Sequence, residues 1–345
     1  MEGPREQLLD GVVGAVRLSD GDIVLAEWST GELRRYDSDG AFLWRAAGQG
    51  DGPGEHRLMR FMGSLPGDSL VTWDSRLDRV QLFGPDGGLA RMFPVETPWP
   101  LFPPVHAIGV SGRHLLILFH DARGEVPNGV VRWPPVRIGA LSLEDGSIRE
   151  LIDVPGAETH ITPMGEGQGA VGEYLFGKGP RFAVAAGGLA VVDTERFSVR
   201  WILVGDGTTT RILRRDTPVR EVTTEDVDAY VEWMTALSIE QGLHLPPGLR
   251  EQPTAPTLPA LKSIHLDAAG NLWVEPHSRH GAEMPPFQVY ASDGTWLGAV
   301  AVPPGLQLEN RVGLPTGFEI GDDYILGVWR DELGVEYVRM YGLTK

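Results

Sequence analysis

The chain has 345 residues, 42% of them hydrophobic, with 45 Gly and 27 Pro. That composition supports a sizeable core but excludes a helical bundle or coiled coil, and it favours short strands joined by tight turns. The net charge of −17 excludes sequence-independent binding to nucleic acid, and the lack of cysteine excludes disulfides, thiolate nucleophiles and Cys-ligated metals.

The opening MEGPREQLLD has no apolar core of a signal peptide. The longest strongly apolar run, Leu115 to Phe119, is too short to cross a bilayer, so no membrane span is expected. From there one unit recurs: strand, Gly/Asp turn, strand, polar loop, strand, turn ending in Gly, strand. The first copy is GAVRLSDG-DIVLAEW-STG-ELRRYDSDG-AFLWRAA. The second is FMGSLPGD-SLVTWDSRLD-RVQLFGPDG-GLARMFPV, and the third runs from His106 through a long loop to RIGALSLEDG-SIRELIDV. The fourth begins RFAVAAG-GLAVVDTERF, the fifth SIHLDAAG-NLWVEP, and the sixth GFEIGDD-YILGVWRDELG. A strand-only repeat of this period predicts an all-β, six-bladed β-propeller of four-stranded blades, forming a single domain over 1–345. The sixth copy has three strands. Closure predicts that residues near Arg5 to Leu9 supply its missing outer strand, and the shortness of that stretch predicts that part of the natural N-terminus is absent.

The turns DSDG (37–40), GPDG (84–87), LEDG (143–146) and ASDG (291–294) place Gly where a hairpin needs positive φ. DxDG also resembles part of a calcium loop; at recurring hairpin positions the Asp side chains are expected to cap the turn instead. One helical insertion interrupts the pattern between blades four and five, within about 217–260. Thr223 to Gln241 reads as a helix capped by Thr223 or Thr224, with Val227, Tyr230, Val231, Met234 and Leu237 on one apolar face. Gly242 ends it, and a stiff Pro-rich run to Pro259 follows. The helix serves either as packing on the rim or as a partial lid.

DSRLDRVQLF (74–83) resembles the NHL-type propeller repeat. Asp74 holds the turn Asp and Arg79 the Arg before the third strand, while Leu77 replaces the usual Asn. Elsewhere Glu27 and Asp193 hold the Asp position, and Glu32 and Ser198 replace the Arg. The run G-x-G-D-G-P-G-E (48–55) and the closing IGDDYILGVW…VEYVRMYGL are similar to bacterial six-bladed propeller proteins, many of them secreted or lipoproteins. The resemblance covers nearly the whole chain. It implies the fold and export to the periplasm or cell surface, and it leaves the activity open.

Loop lengths place the site. The extra length lies at 47–60, 96–105, 121–136, 155–180, 216–260, 276–286 and 303–316, all connections expected on one face of a propeller, where binding function concentrates. Residues entering the innermost strands, Asp10, Arg60, His106, Arg181, Lys262 and Thr316, are expected to ring the channel mouth. Three are basic, which points to an anionic ligand unless each pairs with a neighbouring acid. The candidate ligand-binding residues are therefore Arg60, His106, His120, Arg181, Lys262, His277, His280 and Arg330. Trp99 and Trp133, in long loops, are candidates for stacking; Trp28, Trp73, Trp273 and Trp329 recur in second strands and read as packing. Glu27, Asp74, Asp121, Asp193, Glu275 and Asp331 end the second strands, and are expected to hold turns rather than a cation.

No catalytic motif and no metal site is read, and no HExxH, GxSxG or P-loop occurs. The expected function is a non-catalytic, monomeric binding propeller for an anionic small molecule, peptide, glycan or partner protein, without a cofactor. The resemblance also implies two alternatives at the central channel. One is a Ca²⁺-dependent hydrolase or lactonase. The other is a lyase, for which His106, His265 and Tyr174 are candidates.

Overall fold

The Asp/Gly turns behave as their chemistry dictates. Gly40, Gly87, Gly146 and Gly294 have φ of 84°, 80°, 77° and 91°. The aspartates accept backbone N–H bonds within their own turns: Asp37 from Asp39 and Ala41, Asp86 from Gly88, Asp145 from Ser147, and Asp293 from Thr295. The computed structural model describes residues 9–100, 103–121, 127–165, 168–172, 174–185, 187–241, 248–308, 318–331 and 333–344. It is nearly all β, with one α-helix and seven antiparallel sheets among these residues, five of four strands and two of three.

The first sheet comprises β1 (Val12–Arg17), β2 (Ile23–Glu27), β3 (Glu32–Tyr36) and β4 (Phe42–Ala47). The second comprises β5 (Met59–Leu65), β6 (Ser69–Asp74), β7 (Arg79–Phe83) and β8 (Leu89–Pro94). In the third, β9 (Pro104–Ser111) and β10 (His114–His120) are separated in sequence by β11 (Gly129–Arg132) from β12 (Val136–Ser142) and β13 (Ile148–Val154). β14 (Glu158–Gly165) and β15 (Gln168–Gly172) pair with β11 in an accessory sheet, in the order β11-β14-β15. The fourth sheet is β16 (Pro180–Ala185), β17 (Gly188–Asp193), β18 (Ser198–Ile202) and β19 (Thr209–Arg214). After α1 (Thr224–Gln241) come β20 (Ser263–Leu266), β21 (Leu272–Glu275), β22 (Phe287–Tyr290) and β23 (Trp296–Val300) of the fifth sheet. β24 (Glu319–Ile320), β25 (Tyr324–Arg330) and β26 (Glu336–Gly342) form the sixth.

First strands neighbour first strands: β1 meets β5, β5 meets β9, β9 meets β16, and β16 meets β20, while β1 also meets β24 and β25. Each junction has its own apolar cluster. Leu33, Met59 and Leu70 lie between sheets one and two, and Trp73, Leu115 and Phe119 between two and three. Leu116, Ile138 and Leu189 join three to four, Val192, Ile264 and Leu272 four to five, and Phe287, Ile325 and Trp329 five to six. Val12, Leu25, Leu326 and Val328 join six back to one. Second strands are therefore covered on both faces and read as nearly continuous apolar runs, whereas the outer strands β4, β8, β19 and β23 are largely exposed. The arrangement is propeller-like.

The accessory sheet is a departure from expectation. The segments 121–136 and 155–180, read from sequence as loops, contribute β11, β14 and β15, with Val130 opposite His160 and Ile161 opposite Val171. That the two connections pair with each other fits their expected place on one face. Residues 5–8, expected as the closing strand of the sixth sheet, and Thr316, expected at the channel mouth, lie outside the described residues.

Helix α1 begins where the sequence places it. The Thr223 hydroxyl accepts from the Asp226 N–H, and the Asp226 carboxylate accepts from the Thr223 N–H and hydroxyl. This reciprocal cap satisfies donors that the first helical turn leaves open. The expected apolar face is half-buried, and Gly242, its expected end, lies outside the described residues. The Pro-rich run docks on residues 174–178: Leu175 N–H donates to Pro253, Ala255 N–H to Leu175, and Lys178 Nζ to the Thr257 carbonyl.

Candidate functional site

Four of the acids that end the second strands, Glu27, Asp74, Asp193 and Asp331, accept backbone N–H bonds. Asp74 is fully buried and accepts four backbone N–H bonds, from Arg57 and Leu58 on one oxygen and Arg76 and Leu77 on the other, at 2.5–3.1 Å. Glu27 accepts from Asp10 N–H and pairs with Arg34 at 2.7 Å, and its carboxyl is pushed up by burial against that pairing. Asp331 accepts from Leu333 and Val335 N–H, and Asp193 from Glu195 N–H and Arg132. Arg79 clamps the Gly-rich 48–55 loop through the Asp51, Gly52 and Glu55 carbonyls, and Glu55 accepts from Gly52 N–H within it. That loop is a braced turn between two sheets. Trp73, Trp273 and Trp329 are buried in the junctions, while Trp28 is 38% exposed and lies over Gly11.

The basic candidates fall into five places, two of them ion pairs with buried acids. Lys262 Nζ pairs with the buried Glu275 at 2.9 Å, and Glu275 also accepts from Ser263 Oγ at 2.7 Å, which lies 2.9 Å from His265 Nε2. Burial among Phe287, Phe318 and this charged neighbour pushes the His265 imidazole down to about 3. Arg330 pairs with the buried Glu336, whose other oxygen accepts from Gly11 and Val12 N–H, so Arg330 braces the junction of sheets six and one.

His277 and His280 meet beneath the helix. Their rings lie 6.4 Å apart, with His280 edge-on to Tyr230 at 4.9 Å and tilted on Trp233 at 5.0 Å. Burial pushes both down to about 4, so both are neutral at pH 7. Arg220 donates to the His277 carbonyl at 3.0 Å, and Arg279 reaches Asp226 at 3.0 Å and Glu225 at 3.2 Å. The HSRH loop thus docks the helix on the fifth sheet. Among the described residues no group of three or more His, Asp or Glu is placed to hold a metal ion. The residues considered for a lyase sit apart: His106 beside Trp73 and Arg60, His265 beside Ser263, and Tyr174 beside Glu158.

His120 and Arg181 come together. They line one cleft of about 390 Å³ between the third and fourth sheets, with Trp133, Thr159, Val171 and Phe182 among its other walls. The accessory sheet provides the roof through Thr159 and Val171, and Trp133 follows β11 directly. Leu118 and Phe182 make the floor from the flanking sheets. Among the described residues no carboxylate lines it. Burial lowers the His120 imidazole below its usual range, which leaves it neutral at pH 7 with a donor and an acceptor to offer. Arg181 Nε donates to the Lys262 carbonyl at 2.9 Å, which orients its guanidinium at the rim. Trp99, the other stacking candidate, is instead packed: Phe119 lies 5.6 Å away and the Arg137 guanidinium sits 4.8 Å over its ring.

No family model matches the chain, and no curated protein matches it. Solved structures do. A member of the DUF4221 family from Bacteroides vulgatus is 12% identical, with a TM-score of 0.53 over 98% of this chain and 94% of that one. A proposed exported protein from Bacteroides fragilis is 12% identical (TM-score 0.49, 95% and 82% covered). A gluconolactonase from Xanthomonas campestris is also 12% identical (TM-score 0.48, 97% and 87% covered). At such identity the first of these shows a shared fold and carries no activity across. Among the described residues no helix is long and apolar enough to cross a membrane.

Proposed function

We propose that the protein is a monomeric, exported binding propeller, and that it holds an amphipathic anion in the cleft between the third and fourth sheets. In this reading the six sheets joined by successive apolar clusters are the blades of one closed ring in a single domain. The observation that carries the function is the lining of the cleft: aromatic and aliphatic walls, a guanidinium, an imidazole and a hydroxyl, and among the described residues no carboxylate, in a chain of net charge −17.

Arg181 takes a carboxylate or phosphate through charge-assisted bonds, Trp133 and Phe182 take an apolar or aromatic body, and His120 with Thr159 fixes orientation. The volume suits a small molecule or the end of a peptide or glycan, and the surrounding negative field disfavours polyanions. Among the described residues the lining offers no carboxylate to balance a Ca²⁺ ion, so the proposal includes no metal. Titration calorimetry with a panel of aromatic and aliphatic carboxylates tests it. Binding in the micromolar to millimolar range is expected, weakened at least tenfold by Arg181→Met and by Trp133→Ala. No binding across the panel, or equal binding by both variants, overturns it.

A further inference from the structure

A second set of polar groups lies at the junction of sheets two and three, apart from the cleft. Arg60 is the extra residue of a bulge in β5, between Met59, paired with Asp74, and Phe61, paired with Trp73. β1 has the same bulge at the same place, with Val13 as its extra residue. A bulge re-aims a side chain out of the ladder. In the first sheet that side chain is apolar and buried; in the second it is a guanidinium.

Arg60 is half-buried and, among the described residues, makes no hydrogen bond or ion pair. Its electrostatic neighbour is His106, another potential cation rather than an acid. His106 is 93% buried by its 7% exposure, and its Nδ1 has no hydrogen-bond partner. The Trp73 ring stands edge-on to it at 6.3 Å, and the Trp73 indole N–H, in a fully buried residue, is also unpartnered. Two buried polar atoms on neighbouring rings, and a partly desolvated charge that acts on one of those rings, are thus left unsatisfied. Native proteins seldom leave such groups unpaired without a ligand, ion or water between them. Indole N–H and guanidinium only donate, and neutral imidazole can place its proton on Nδ1. The shared requirement is an acceptor that carries negative charge.

We propose that Arg60, His106 and Trp73 form a second, enclosed binding site that takes a small anion, an oxyanion or the carboxylate of a small acid. The site is independent of the cleft. The anion accepts from Arg60 and from the indole N–H, with the His106 N–H completing the shell. Arg60 is then retained for binding at a cost in the empty protein.

Two measurements test this. Thermal midpoints of the full chain are recorded in nitrate, phosphate and acetate at constant ionic strength, for wild type, Arg60→Gln, Arg60→Leu and Arg181→Met. Wild type and Arg181→Met are expected to rise together with anion concentration by several degrees at saturating levels. Arg60→Gln is expected to lose at least tenfold in apparent affinity. In anion-free buffer Arg60→Leu is expected to melt at or above the wild-type temperature, because a desolvated charge without a partner has been removed. In parallel, crystals soaked in bromide are expected to show an anomalous peak within hydrogen-bond reach of Trp73 Nε1. An equal rise in wild type and Arg60→Gln overturns the proposal. So does a lower anion-free midpoint for Arg60→Leu, or a water in place of the bromide. Loss of the response in Arg181→Met alone would assign the anion effect to the cleft and overturn the second site.

Discussion

Two neighbouring junctions of the second sheet treat buried polarity in opposite ways. On the side facing the first sheet nearly every group is answered: Asp74 accepts four N–H bonds, Arg79 donates to three carbonyls through its terminal nitrogens and leaves only its Nε without a partner, and buried His56 has Gly31 O on one nitrogen and Thr72 Oγ1 on the other. On the side facing the third sheet Arg60, the Trp73 N–H and His106 Nδ1 are unanswered. The first pattern is what holds a turn; the second is what waits for something. Burial is similar on the two sides, and what differs is how many of the polar groups have partners.

Breaking the answered side has the largest effect. Asp74→Ala leaves four partly buried N–H groups without their carboxylate, and a loss of about 3–5 kcal/mol is expected in urea denaturation. A loss below about 1 kcal/mol would erase the contrast. Next comes His106. Its imidazole sits at about 4 in the folded chain against 6.5 for the free group. The unfolded chain therefore binds the extra proton between these values, and stability present above pH 6.5 drains away as pH falls towards 4. The expected loss is on the order of 3 kcal/mol. It is read as the difference in pH slope between wild type and His106→Phe, and matching slopes would contradict it. The smallest is Arg79→Met, which frees three loop carbonyls that can turn to water, for a loss of about 2 kcal/mol measured the same way.

The contrast also explains what could be read from the sequence. The sheets were legible because each hairpin carries its own turn residues within a few positions, and α1 because Thr223, Asp226 and a 3.6-residue period are local. The accessory sheet was not. Val130 pairs with His160 across 29 intervening residues rich in Pro and Gly, and neither strand alternates strongly enough to announce itself. The cleft shares that difficulty, since His120, Trp133 and Arg181 converge only once β11 has found β14. Sequence flagged Arg60, Arg181 and Lys262 equally, with pairing to an acid as the competing expectation. Lys262 has its acid, and Arg60 has none among the described residues. Which of 47 acids reaches which base is a matter of register, and a string of residues does not contain it.

The roof of the cleft is a bracket. β11 is an excursion within the third sheet, and β14 and β15 run from β13 of that sheet towards β16 of the fourth, so the accessory sheet is tied along the chain to both walls of the same opening. A lid hinged on one side swings without disturbing its wall, but a bracket fixed on both sides cannot. Widening this entrance must either shear the β11–β14 hydrogen bonds or move one sheet against its neighbour. Under the proposed function guest size would be governed by strand pairing as much as by the side chains that the guest would touch, and lengthening or shortening that ladder would resize the doorway while leaving its chemistry alone.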